Sequence, residues 1–141
     1  MSPSLKSLAY LLPAERWLLA FVVHGAPGSA EALGMLTDEA LRGLVAEPAL
    51  RVARALAPHT KITAAALVSA LANGNCALIE EAAGYEPPPD FTALECVRVL
   101  RRRPFEARMV EIQKRLAGAS GSELDALLVE KLRLRRQMAG L

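Results

Sequence analysis

The segment PFEARMVEIQKRLAGASGSELDALLVEKLRLRRQMAGL, residues 104–141, decides the fold expected for this chain. Its apolar residues recur every three or four positions, which is the spacing of one face of an α-helix. The small-residue run AGASG, residues 117–121, separates two such stretches. We therefore predict a helical hairpin over 104–141, with Ser120 and Glu123 forming a capping box where the second helix begins.

Two sets of apolar residues predict the seam between the two helices of this hairpin. They are Phe105, Met109, Ile112 and Leu116 in the first helix, and Leu124, Leu127, Leu134, Met138 and Leu141 in the second. The second helix also carries Leu128, Val129 and Leu132, at least about a quarter turn away from that seam. Nothing inside a hairpin covers these three side chains, so we predict that they contact a partner. The competing interpretation is that they pack against the rest of the chain.

The remainder of the chain also has the composition and spacing of short helices. Of the 141 residues, 52% are hydrophobic and only 4% aromatic, which favours helices over the β-branched and aromatic runs of strands. We predict an all-α fold with a bundle of about six short helices in 1–89, a linking helix in 90–103 and the helical hairpin in 104–141. Pro104 is expected to stop or kink the linking helix.

Charge and cysteine content narrow the classes of protein. Residues 1–89 contain 6 Lys and Arg against 8 Asp and Glu, and residues 90–141 contain 11 against 7, so the C-terminal third is only mildly basic. Two cysteines are too few for a disulfide scaffold. The apolar run from Trp17 to Val23 is too short to span a bilayer, and no signal peptide is visible. We therefore expect a cytoplasmic protein without membrane contact.

The sequence contains none of the common catalytic or metal-binding motifs. It has no phosphate-binding or dinucleotide-binding glycine loop, no HExxH and no cysteine pair at zinc spacing. Cys96 shares a helix face with apolar residues, which favours a buried small hydrophobe over a reactive thiol. His24 is interpreted as a cation at a helix C-terminus rather than as a base. We predict no enzymatic activity, no cofactor, no metal and no small-molecule ligand.

Two groups of arginines suggest charged contacts. Arg133, Arg135 and Arg136 follow the apolar edge of the last helix, where they can form a polar rim that attracts an acidic partner. Arg101, Arg102 and Arg103 form the densest basic run, and they support an alternative function as a helical nucleic-acid-binding module. Beside the protein that contacts the last helix, a weak nucleic-acid contact is the other partner expected. Interleaved aromatic residues, which stack on bases in single-strand binders, are missing from this run.

The C-terminal 50 residues resemble the end of bacterial DNA primase, the region that docks onto the replicative helicase. The resemblance rests on Glu95-Cys96, Leu100-Arg101, the arm from Glu106 to Gln113, the turn from Gly121 to Asp125, and the arm from Leu127 to Arg136. The N-terminal helix PAERWLLAFVV, residues 13–23, and the helices of 37–57 are similar to that domain more loosely.

This resemblance implies a six-helix subdomain followed by a helical hairpin at a bacterial replication fork. The hairpin would bind the N-terminal collar of the helicase, and the helical bundle would modulate helicase activity. The family's full-length protein is a DNA-directed RNA polymerase of the primase type. Its zinc-binding and polymerising domains have no counterpart in these 141 residues. The resemblance therefore implies a non-catalytic interaction domain, with Leu128, Val129, Leu132, Arg133, Arg135 and Arg136 in the contact.

Overall fold

A computed structural model describes residues 8–71 and 73–141, with the side chains of 73–75 excepted. In these residues the chain is all-α, as predicted, and contains no β-strand. A short 3-10 helix spans Leu8–Tyr10, and the α-helices are α1 Pro13–Val23, α2 Ser29–Gly34, α3 Asp38–Leu41, α4 Glu47–Leu56, α5 Ala64–Ala70, α6 Asn73–Ala83, α7 Ala93–Leu116 and α8 Gly121–Ala139. The first seven residues, assigned to the bundle by sequence, lie outside the described part.

The chain divides into two compact units, Met1–Leu100 and Arg101–Leu141. Helix α1 lies at the centre of the first unit, where it packs against α2 and α6. Its apolar residues occur on nearly every side, and Leu18, Leu19 and Ala20 are completely buried. A helix that is apolar all round is stable only when neighbours cover every face. The sequence pattern of α1 therefore determines its central place in this unit.

Thr37 and Thr63 start two of the short helices of the first unit by capping them. The Thr37 hydroxyl accepts a hydrogen bond from the Ala40 N–H at 3.1 Å, and the Thr63 hydroxyl accepts one from the Ala66 N–H at the same distance. Each cap satisfies a backbone donor that has no partner within the helix. Helix α3 has only four residues. It ends at Leu41, because Gly43 takes a left-handed φ of 82° and turns the chain toward α4.

Glu15 is a buried acidic residue that connects the start of α1 to the start of α4. Its side chain is 1% exposed. One carboxylate oxygen accepts a hydrogen bond from the Leu12 N–H at 3.0 Å, and the other accepts one from the Ala46 N–H at 2.5 Å. Ala46 lies directly before α4, so both donors are backbone groups at helix N-termini. The two bonds compensate the carboxylate for its loss of water.

A network of ion pairs holds α3 against α4 on the surface of the first unit. Asp38 accepts hydrogen bonds from Arg54 at 2.6 Å and from Arg51 at 3.0 Å, and Arg51 also bonds Glu47 at 2.7 Å. The hydrogen bond from Arg54, followed by that from Arg51, lowers the pKa of Asp38 below its ordinary value of 3.8. The hydrogen bonds from Arg51 and the Gly43 N–H likewise lower the pKa of Glu47 below 4.5.

These lowered pKa values predict how the stability of the protein changes in acid. A carboxyl group with a lowered folded-state pKa stabilises the fold above its unfolded pKa, and that contribution is lost as the pH falls through the folded value. The Asp38→Asn variant is therefore expected to be less stable than the wild type at pH 7, with a difference that shrinks below the ordinary Asp38 value of 3.8. Urea unfolding of both proteins across the acid range checks this. Because the pairs are exposed, 1 M salt should also reduce the difference at neutral pH. A difference that persists unchanged in acid contradicts the prediction.

The triple-proline connector, 86–90, lies between two aromatic residues that pack on α1. Phe91 stacks against Trp17 with their ring centroids 4.7 Å apart, and the Trp17 indole N–H donates to the Tyr85 hydroxyl at 3.1 Å. The His24 Nε2 lies 2.8 Å from the Tyr85 carbonyl oxygen. Since a carbonyl can only accept, this ring nitrogen is the donor. Both ends of the connector are therefore held against α1.

The sequence predicted that Pro104 would either stop or kink the helix that contains it. Helix α7 does not stop at Pro104. The helix runs without interruption from Ala93 to Leu116. Proline removes one backbone hydrogen bond, whereas strong helix formers such as Arg, Glu and Ala surround it on both sides. At the N-terminus of α7, the Thr92 hydroxyl accepts a hydrogen bond from the Glu95 N–H at 3.2 Å.

Among the described residues, no helix is both long and apolar enough to cross a membrane.

Candidate functional site

The second unit is a helical hairpin with a small core of its own. Ile112 of α7 and Leu127 and Leu134 of α8 are buried together. The half-buried residues packed around them are Phe105, Met109, Leu116 and Ala119. Every one of these except Ala119 belongs to the seam predicted from helical spacing, so the prediction is confirmed for six of its nine residues. The other three, Leu124, Met138 and Leu141, are not part of this core. With only three buried side chains, this core leaves most of the surface of α8 in solvent.

The turn between the two helices differs in one respect from the prediction. Two backbone bonds close the end of α7, from the Gly118 N–H to the Arg115 carbonyl at 3.2 Å and from the Ala119 N–H to the Leu116 carbonyl at 3.4 Å. The predicted capping box is wrong, because the Ser120 side chain makes no capping hydrogen bond. Gly121, the residue after Ser120, has a left-handed φ of 61°. The chain therefore changes direction between Ser120 and the first turn of α8.

The three apolar residues assigned to a partner contact lie on the exposed side of α8. Leu128 is 44% exposed, Val129 67% and Leu132 55%. At about 100° per residue, they lie roughly 110–150° around the helix from the buried pair Leu127 and Leu134. We call these three residues the α8 edge. Single exposed apolar residues are ordinary on protein surfaces, whereas a contiguous group of three on adjacent turns is typical of a contact surface.

The three arginines assigned to the polar rim are all exposed as well. Arg135 and Arg136 lie within about 60° of Leu132 around the helix, on the turn that follows it. Arg133 lies about 100° from Leu132, at the border of this face. Five of the six predicted contact residues therefore share one face, and the sixth adjoins it. The arginines are also near the C-terminus of α8, where the helix dipole favours positive charge.

A shallow groove on the hairpin could not be found by sequence reasoning. It encloses about 550 Å³ between α7 and α8, and it is lined by Glu106, Met109, Val110, Gln113, Lys114 and Met138. Val110 is 55% exposed although it is apolar. In the sequence, Val110 directly follows the seam residue Met109 and is off the predicted stripe. That position outside the stripe is the one signal that marks it as a surface residue.

The cysteine and the histidine considered in the sequence analysis lie in the first unit, outside the hairpin. Cys96 is completely buried in the core of the first unit, and burial, followed by the nearby Glu95 charge, raises the pKa of its thiol to about 12. Such a thiol is inert at neutral pH, which agrees with its interpretation as a small hydrophobe. His24 follows the last residue of α1, as expected for a helix C-terminus. In 8–71 and 73–141, no three His, Cys, Asp or Glu side chains are grouped so that they could hold a metal ion.

The basic run of α7 is only partly open to solvent. Arg102 is exposed, whereas Arg101 and Arg103 are half-buried. One turn further along, the Arg108 guanidinium lies over the Phe105 ring, 5.7 Å from its centroid. These arginines therefore do not form one exposed row.

No protein-family model matches this chain, and neither a curated protein nor a solved structure shows significant similarity to it.

Proposed function

We propose that this chain is a non-catalytic interaction domain that docks DNA primase onto the replicative helicase during DNA replication and modulates helicase activity there. The α8 edge supplies the apolar centre of the contact. Arg133, Arg135 and Arg136 supply a basic rim that attracts an acidic surface on the helicase collar. In this proposal the first unit carries the regulatory role that the family resemblance implies, and the setting is the bacterial cytoplasm.

The observation that carries the proposal is the exposure of the α8 edge on a hairpin that has already buried its own seam. A fully buried leucine is worth about 1.5–3 kcal/mol relative to an exposed one, so three exposed residues leave apolar surface whose burial by a partner is favourable. The basic rim adds steering and specificity rather than most of the affinity. This arrangement of apolar centre and charged rim is the usual anatomy of a transient protein interface.

The identity of the partner comes from the sequence resemblance to the helicase-binding end of bacterial primase. Two of the segments that carry it, 106–113 and 127–136, belong to α7 and α8, and Ile112 of the first is buried together with Leu127 and Leu134 of the second. The α8 edge lies within the second of these segments. The resemblance and the exposed surface thus concern the same part of the chain, and this coincidence supports helicase docking over another apolar contact.

Replacing Leu132 by alanine tests the proposal. Leu132→Ala is expected to cost about 1–3 kcal/mol of binding free energy, or roughly 5- to 150-fold in the Kd for the replicative helicase, because it removes an apolar anchor. Calorimetric titration of the full chain into the helicase measures this. The matched control is Val110→Ala, because Val110 and Leu132 are equally exposed, at 55% each. Val110 belongs to α7, away from the α8 edge, so this control is expected to leave the affinity unchanged.

Two results would overturn the proposal. One is wild-type affinity for the helicase in Leu132→Ala, and the other is no binding of the wild-type chain at all. Circular dichroism of both variants confirms that the helices are retained, since neither side chain belongs to the buried core. Equal losses in Leu132→Ala and Val110→Ala would place the contact on a broader surface than the α8 edge.

A further inference from the structure

The exposed face of α8 has a charge order that reverses from one end to the other. Asp125 comes first, the α8 edge follows, and Arg135 and Arg136 come last. Asp125, Arg135 and Arg136 are all exposed. At about 100° per residue, Asp125 and Arg136 lie within roughly 40° of Leu132 around the helix. One face therefore carries an acid, an apolar centre and a base along about three turns.

This order is complementary to itself when two copies of α8 run antiparallel. A two-fold axis midway between Val129 and Leu132 places Val129 of one copy opposite Leu132 of the other. The same axis places Asp125 opposite Arg136, and it does so twice, because a two-fold contact repeats every pair. A shift of the axis by half a residue places Asp125 opposite Arg135 instead. A parallel pair would bring like charges together.

We propose that the α8 edge also binds the α8 edge of a second copy of this chain, as an antiparallel two-fold dimer. The occupant is inferred from charge complementarity, since a partner helix must place a base opposite Asp125, apolar residues opposite the α8 edge and an acid opposite Arg136. A second copy of the chain meets that requirement in full. The inference does not depend on helicase binding, because it uses only the exposed residues of α8.

The size of the contact sets its strength. Stable protein interfaces bury about 1,200–2,000 Å², whereas one edge of one helix with three apolar side chains buries less. We therefore expect a reversible dimer with a dissociation constant on the order of 0.1 to 1 mM. In such a dimer the α8 edge is covered. A protein that docks on this edge must then compete with the second copy, so self-association would limit docking at high local concentration.

Charge reversal tests the dimer in a way that a folding defect cannot imitate. Sedimentation equilibrium of the full chain, from micromolar to millimolar concentration, should show a monomer–dimer equilibrium. Asp125→Arg and Arg136→Asp should each weaken self-association roughly tenfold, because two attractive pairs become two repulsive ones. An equimolar mixture of the two variants should associate at least as strongly as the wild type, since every pair across their mixed dimer is then attractive. Arg135→Asp in place of Arg136→Asp reports which of the two axis positions is used.

A wild-type chain that stays monomeric at millimolar concentration overturns the proposal. So does a mixture that associates no better than either variant alone. Helicase binding is measured separately, at micromolar chain concentration where the dimer is dissociated. A dimer without helicase binding would remove the docking function only, and helicase binding without a dimer would remove this inference only.

Discussion

Glu15→Ala is expected to destabilise the first unit by about 3 kcal/mol, which lowers its Tm by roughly 10–20 °C. The change removes both acceptors of the buried carboxylate. The Ala46 N–H then has neither its partner nor access to water, and a buried donor without a partner is costly. Glu15→Gln keeps one acceptor oxygen but brings an amide N–H toward the second donor. We expect it to recover less than half of the loss.

Thermal unfolding followed by circular dichroism measures this effect. The matched control is Glu80→Ala, an exposed glutamate on α6, for which a change within about 0.5 kcal/mol is expected. If Glu15→Ala unfolds at the temperature of Glu80→Ala, the link between Glu15 and Ala46 does not hold α1 to α4. A full recovery of stability in Glu15→Gln would show that side-chain packing, rather than the paired hydrogen bonds, is what Glu15 contributes.

The role of Glu15 shows where sequence reasoning ends in the first unit. Helical periodicity is a local property. The central position of α1 in the first unit and the seam of the hairpin could therefore be predicted from residues three and four apart. Glu15 in the first turn of a helix reads as a solvated acid, favoured by the helix dipole. Its second partner, Ala46, is 31 residues away in the chain. Only the packed fold brings the two together.

The two capping motifs make a similar point about short patterns. Thr92 with Glu95 and Ser120 with Glu123 both match a capping box in sequence. The structure forms a cap at Thr92 and none at Ser120. The difference is Gly121, whose left-handed φ redirects the chain after Ser120. A pattern of two residues does not report the backbone angles between them, so the motif alone could not separate these cases.

The position of the α8 edge could be predicted, because helical spacing alone places it away from the seam. Leu128, Val129 and Leu132 are apolar, and they are on one helix. Their exposure could not be predicted from spacing, because the sequence also allowed them to pack against the rest of the chain. The groove between α7 and α8 could not be predicted in this way. Its existence depends on the distance between the two helices and on side-chain shape at Met109 and Met138.

Leu134→Ala is expected to remove about 3–5 kcal/mol from the stability of the hairpin. Leu134 is only 2% exposed, and it shares the hairpin core with just two other buried residues, Ile112 and Leu127. A cavity there removes apolar contacts that so small a core cannot replace by rearranging. We expect residues 101–141 to lose amide protection from hydrogen exchange, while the core of the first unit keeps its protection.

Leu128→Ala is the matched control, since it makes the same substitution on the same helix at a position that is 44% exposed. It is expected to cost less than about 1 kcal/mol of stability, because half of the side chain is already in water. The two leucines should therefore separate the two roles of α8, with Leu134 maintaining the hairpin and Leu128 serving contacts outside it. Equal loss of protection in the two variants would mean that Leu128 is as important for the fold as Leu134. The α8 edge would then not be available to a partner.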